Sequence, residues 1–169
     1  FKNLFTPKVP KREKVELKTR EDRDPQVLEM AFSLLGESEI PGSKHNPRII
    51  EMHSYTTLKA KTDEVPWCSS FVNFCMESSG VKGTGSAAAR SWMNWGIKTD
   101  SPKRGDIVVI KRGSSSWQGH VFFYLKEDDK YIYGLGGNQN NMVSIDKFPK
   151  SKLLGYRTYR RPCSRFSAY

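Results

Sequence analysis

Cys68 is the residue of this sequence whose position most favours chemistry. It follows Pro66-Trp67, and because proline is preferred in the first turn of a helix, we expect Cys68 to lie in the first turn of a helix that Gly80 ends. Backbone N–H groups in that turn have no partner within the helix, and the helix dipole is positive there. Both effects favour the thiolate, the form of cysteine that attacks a carbonyl carbon, and the same N–H groups could stabilise an oxyanion.

Cys75 is a second thiol on the same predicted helix, but it lacks this position. It lies seven residues after Cys68, which separates the two Cα atoms by roughly 10 Å at a rise of ~1.5 Å per residue. That distance is too long for a disulfide, so we interpret Cys75 as a small core residue. The chain has three cysteines, an odd number, and three scattered histidines. We therefore expect no disulfide framework, no metal site and no cofactor.

His120 is the candidate base for the thiol. It follows Gly119 at the start of a strand-like run, 121–125. A catalytic imidazole also needs a third polar group that holds its working tautomer. Asn138 lies 18 residues after His120, so a hairpin would bring the two together, and the neighbouring Gln139 is the alternative. The order cysteine, histidine, amide predicts that the Cys68 thiolate attacks a peptide carbonyl.

The elements that must position these residues are helices first and strands second. Four helices are predicted to begin at Asp24-Pro25, Asn46-Pro47, Pro66 and Ser86, each with a capping residue or a proline at its start. After Pro102 the sequence changes to short runs that are rich in β-branched and aromatic residues. Those runs are 107–110, 121–125, 131–133, 142–145 and 153–159. This order predicts an α+β domain in which N-terminal helices pack on a small antiparallel β-sheet.

The ends of the chain differ from its centre in charge. The net charge is +10, of which residues 1–24 carry +3 and residues 157–169 carry +4. We divide the chain into a charged arm or linker at 1–24, a catalytic domain at 25–161 and a basic tail at 162–169. The basic ends could attract a polyanion or could simply keep the protein in solution. No apolar run approaches the ~20 residues of a membrane span, and residues 1–24 lack the apolar centre of a secretory signal.

Four strings of the sequence carry a resemblance to a known group of enzymes. They are Pro66-Trp-Cys-Ser-Ser-Phe-Val-Asn-Phe-Cys75, Gly83-Thr-Gly-Ser-Ala-Ala-Ala-Arg-Ser-Trp92, Pro102-Lys-Arg-Gly-Asp-Ile-Val-Val109 and Gly136-Gly-Asn-Gln139. Together with Gly-His120-Val, they resemble the papain-like cell-wall peptidases of the NlpC-type and CHAP (cysteine, histidine-dependent amidohydrolase/peptidase) families, over about residues 25–156. The resemblance implies a papain-like fold and the hydrolysis of amide bonds in bacterial peptidoglycan.

The resemblance also implies partners and a place of action. Members act as endopeptidases or N-acetylmuramoyl-L-alanine amidases, and phages deploy them as endolysins or tail lysins. The expected substrate is the peptidoglycan stem peptide, met at the bacterial wall from the periplasm, from outside or by phage delivery. Anionic wall polymers are the expected partners of the basic termini. We expect a monomer with no specific nucleic-acid partner and no membrane span.

The resemblance assigns the catalytic roles to Cys68, His120 and Asn138, with substrate contacts expected at Glu64, Trp67, Ser69, Trp92 and Gln139. The chain departs from the families in four ways. Trp67 stands where NlpC-type enzymes usually have Asp, and an amide stands in place of their second His. Gly136 stands where CHAP enzymes commonly carry Glu, and Phe122 follows Gly-His-Val where a small residue is common.

Two alternatives remain open from the sequence. The first is a cysteine hydrolase toxin that acts on a host protein or an acyl chain. The second is a catalytically inactive wall-binding module whose basic ends carry the affinity. Selective alkylation of Cys68 near neutral pH favours an enzyme, because a reactive thiolate is what an inactive module would lack.

Overall fold

The computed structural model describes residues 24–63 and 65–159. The predicted arm and tail, apart from Asp24, and the candidate Glu64 lie outside the described residues. At the start of the described chain, Asp24 accepts two hydrogen bonds from the Arg104 guanidinium, at 2.7 and 2.9 Å. This bidentate pair links the start of the described chain to the loop before a central strand.

Three α-helices precede the sheet: α1 at Gln26–Ser33, α2 at Pro47–His53 and α3 at Cys68–Ser78. The predicted start of α2 is explained by Asn46, whose side chain accepts a hydrogen bond from the N–H of Arg48. α3 is buried from Cys68 through Met76, which makes it the central helix of the domain. Within the described ranges, no helix has the length and apolar character that a bilayer span requires.

The predicted fourth helix is wrong in type and start. In place of an α-helix from Ser86, the chain forms a 3-10 helix at Ala89–Asn94. α3 holds the residues before this 3-10 helix outside a helix, because Asn73 accepts from the N–H of Gly85 and Ser69 donates to the carbonyl of Ser86. These tertiary hydrogen bonds use backbone groups that a longer helix would need for itself.

One antiparallel sheet of six strands forms the second half of the chain. Its strands are β1 at Ile97–Thr99, β2 at Ile107–Lys111, β3 at Gly119–Glu127, β4 at Tyr131–Gln139, β5 at Met142–Pro149 and β6 at Leu153–Thr158. They lie in the order β1-β6-β2-β3-β4-β5. The predicted α+β class is therefore confirmed. The sequence pattern did not predict β1, because a strand of three residues is too short to show the alternation of apolar and polar side chains.

Both faces of the central strands are buried. Alternate residues of β2 and β3 pack against α3, where Phe71 and Phe123 meet edge to face with ring centroids 6.0 Å apart. The intervening residues, including Ile110 and Phe122, form a second apolar cluster on the opposite face. This burial on two faces accounts for the continuous apolar runs of β2 and β3, and it buries the start of β3 beside the first turn of α3.

Candidate active site

Cys68 is the first residue of α3 and is 4% exposed. The backbone N–H groups of Cys68, Ser69 and Val121 direct hydrogen bonds to its sulfur, which lowers the pKa of the thiol. Burial raises that pKa by more, so the net pKa of Cys68 lies above its ordinary value. The N–H groups at the helix start stabilise the thiolate as expected, but they do not by themselves make Cys68 a thiolate in the resting protein.

His120 is the second residue of β3 and is 2% exposed. Its ring lies against Phe122 and Phe148, with centroids 5.5 and 5.3 Å away. Burial lowers the pKa of the imidazole to about 4. At neutral pH the ring is therefore uncharged, which is the state that can accept a proton from a thiol.

Gln139 fixes the tautomer of this imidazole. The Nε2 of His120 lies 3.0 Å from the Oε1 of Gln139, and the Gln139 Nε2 donates to the carbonyl of Ser144 at 2.7 Å. Because the amide nitrogen is used on Ser144, Oε1 is the acceptor and the His120 Nε2 carries the hydrogen. The other ring nitrogen, Nδ1, has no hydrogen-bond partner among the described residues. In this tautomer Nδ1 keeps a free lone pair, which can accept a proton.

Asn138, the expected orienting residue, does not make this contact. A regular hairpin would place Asn138 opposite His120, but β4 shifts register between Gly136 and Gln139. The shift puts Asn138 in a left-handed conformation, with φ 56°, and brings Gln139 to His120. A Cβ on Gly136 would collide with the Gln139 Oε1. The glycine that replaces the common Glu of CHAP enzymes thus makes room for the Gln139 amide.

The sulfur of Cys68 and the imidazole belong to one site through the start of β3. Val121, whose N–H points at the sulfur, directly follows His120 in the chain. The charge of Arg112 also acts on both groups, since it lowers the pKa of the thiol and of the imidazole. The structure therefore joins His120 to Gln139 by a hydrogen bond, and it places the sulfur of Cys68 against the backbone of Val121, the residue that follows His120.

Three of the expected substrate contacts are core residues instead. Trp67, Ser69 and Trp92 have no exposed surface, so the prediction that they touch substrate does not agree with their placement. Trp67 donates from its indole to Glu39, and Ser69 donates to Ser86 while it accepts from the indole of Trp92. Their hydrogen bonds hold the segments on either side of the Cys68 helix start. Gln139 is buried as well and binds His120 rather than solvent.

The loop between β2 and β3 contains residues near the site that the sequence reasoning missed. Trp117 is 72% exposed, and Arg112 is exposed at the other end of the loop. Arg90 holds the loop by donating to the carbonyls of Gln118, at 2.7 Å, and Ser115, at 3.2 Å. A large aromatic in a serine-rich stretch just before Gly-His was the available signal. Across the described residues, no group of three or more potential ligands is arranged to bind a metal.

A comparison with known families gives a match that covers most of the site. Residues 60–138 match the family model of the CHAP domain, a cysteine amidase and peptidase family that is found in cell-wall hydrolases. The match confirms the resemblance seen in the sequence, and it spans both Cys68 and His120. A comparison with curated proteins found no match.

Proposed function

We propose that this chain, in which residues 60–138 match the CHAP domain, is a cysteine hydrolase that cleaves amide bonds of bacterial peptidoglycan. The family match supports a peptidoglycan amidase or peptidase in general. Within this function, we propose Cys68 as the nucleophile, His120 as the base and Gln139 as the positioning residue. Its place of action is the bacterial cell wall.

The observation that carries this proposal is the bond between His120 and Gln139. It uses the Nε2 hydrogen of the imidazole, and so it leaves the buried Nδ1 without a partner among the described residues. A buried polar atom without a partner costs free energy, of the order of 1–3 kcal/mol. Because Nε2 is held by Gln139, Nδ1 is the nitrogen of His120 that could accept the proton of Cys68.

The reaction begins from a neutral thiol and a neutral imidazole. The Sγ of Cys68 gives its proton to Nδ1 of His120 as sulfur bonds to the carbonyl carbon, and the carbonyl electrons move to oxygen. N–H groups in the first turn of α3 stabilise this oxyanion. The imidazolium then protonates the departing amine, which leaves a thioester. Water, deprotonated by the same Nδ1, attacks the thioester and releases the acid and the thiol.

Replacement of Cys68 tests the mechanism directly. We expect Cys68→Ala to reduce the release of new amine termini from purified peptidoglycan by roughly 10³-fold or more, because no other group forms the thioester. Cys75→Ala is the matched control, since Cys75 is buried on the same helix and should lose only packing. Mass spectrometry of the products identifies the scissile bond, and therefore separates an amidase from an endopeptidase. Equal turnover by Cys68→Ala and wild type would refute the mechanism.

A further inference from the structure

We propose that Arg112 is an anion-binding subsite that takes a free carboxylate of the substrate peptide close to the scissile amide. This inference rests on the proposed peptidoglycan hydrolase and specifies the substrate that the enzyme prefers. In chemical terms, the preferred ligand is a peptide with a free carboxylate next to the scissile amide, and the disfavoured ligand is the same peptide with a carboxamide there.

The register of the sheet places Arg112 next to the base. Ile110 on β2 is the direct partner of His120 on β3. Two residues further, the N–H of Arg112 donates to the carbonyl of Gln118 at 3.5 Å, which continues the ladder past the end of β2. Side chains alternate along a strand, so Arg112 follows Ile110 onto the face that holds His120, at the diagonal position.

The guanidinium of Arg112 is available to a ligand. The residue is exposed, and none of the ion pairs within residues 24–63 and 65–159 involves it. Asp146 is the acidic residue whose charge reaches His120, and its carboxylate accepts from the N–H of Lys147. Arg112 therefore keeps an unneutralised charge at the site, although an arginine readily forms a bidentate pair with a carboxylate.

The loop that carries Arg112 is held in place before any ligand arrives. Arg90 donates to the carbonyls of Gln118 and Ser115, and the hydroxyl of Ser115 donates to the side chain of Gln118. These bonds keep the loop in one conformation, so a ligand need not bear the entropic cost of ordering it. The same loop exposes Trp117, whose ring offers an apolar surface to a ligand.

A pair of matched substrates tests this subsite. We would measure kcat and KM on two synthetic muramoyl peptides that differ only in a carboxylate or a carboxamide next to the scissile amide. The wild type should cleave the carboxylate peptide with a kcat/KM roughly tenfold higher, through a lower KM. Arg112→Gln should abolish this preference, and Arg112→Lys should keep part of it.

Lys111→Gln is the matched control. It removes the same charge from the neighbouring residue, whose side chain points to the opposite face of the strand, so the preference should survive. If Arg112→Gln keeps the preference, or lowers kcat/KM equally for both peptides, the subsite proposal is wrong while the hydrolase proposal stands. If the wild type cleaves neither peptide nor peptidoglycan, the hydrolase proposal itself fails. Calorimetric binding of both peptides to Cys68→Ala then still decides whether Arg112 prefers the carboxylate.

Discussion

The two buried cysteines show how position decides the chemistry of a thiol. Burial raises the pKa of Cys75 well above its ordinary value, with no opposing contribution. Burial also raises the pKa of Cys68, but three backbone N–H groups and the charge of Arg112 oppose it. The Cys68 sulfur thus lies among groups that stabilise negative charge as it develops, and the Cys75 sulfur does not. The helix start distinguishes the two residues, as their sequence context predicted.

The competing assignments of Gln139 and Asn138 can be separated by single substitutions. We expect Gln139→Ala to lower kcat by roughly 10²-fold, because the imidazole loses the acceptor that holds its tautomer. Asn138→Gly should change kcat by no more than about twofold, since glycine adopts the same positive φ without strain. Both are measured on one peptidoglycan fragment under saturating substrate. A larger loss in Asn138→Gly than in Gln139→Ala would return the positioning role to Asn138.

The buried imidazole also predicts the pH dependence of activity. A base must be unprotonated, and burial lowers the pKa of His120 from 6.5 to about 4. When kcat/KM on a soluble peptide is plotted against pH, the midpoint of the acidic limb should therefore lie well below pH 6.5, toward pH 4. An acidic limb centred at pH 6.5 or above would mean that His120 is solvated and charged in the working enzyme.

Among the elements, β4 contributes most to the geometry of the site. Its register shift between Gly136 and Gln139 changes which side chain reaches His120. The shift depends on small residues: a Cβ on Gly136 would collide with the Gln139 amide, and one on Gly137 would press into Phe71 and Trp67 at 2.7 Å. The glycines of the Gly-Gly-Asn-Gln string are therefore required by packing on both faces of the strand.

Gly136→Ala tests this account of β4. The added methyl should displace the Gln139 amide from His120, so we expect kcat to fall by roughly as much as in Gln139→Ala. In the double variant the two losses should not add, because the displaced amide is already absent. Thermal unfolding of each variant separates a local displacement from a loss of fold. Fully additive losses in kcat would show that Gly136 acts through another contact.

For the whole molecule, burial of histidines links folding to pH. His53 and His120 are both buried, and burial lowers the pKa of each below its ordinary value. The unfolded chain therefore binds protons at a pH where the folded protein does not. The stabilisation from such groups is present above pH 6.5 and is lost as the pH falls toward 4. For His120 alone the shift corresponds to about 3 kcal/mol.

This loss can be measured by urea unfolding at pH 7 and at pH 4.5. We expect the free energy of unfolding to be lower at pH 4.5, and the difference between the two pH values to be smaller in His120→Gln. The variant removes one of the two buried histidines of the described chain, each of which binds a proton more readily on unfolding. A pH difference that is unchanged in His120→Gln would show that this imidazole is not desolvated in the folded state.

Local signals in the sequence were sufficient to predict the α+β class, the starts of three helices, and the placement of Cys68 at a helix start and His120 at a strand start. Caps, prolines and strand runs act over a few neighbouring residues, so they can be read from the sequence. These signals could not predict contacts between distant segments. The start signal at Ser86 predicted an α-helix there, but it did not predict the 3-10 geometry that contacts with α3 impose. Counting along a regular hairpin predicted Asn138 as the partner of His120, but a one-residue shift in β4 makes Gln139 the partner. The sequence could not show this shift, because it depends on how Gly136 and Gly137 pack against residues remote in the chain.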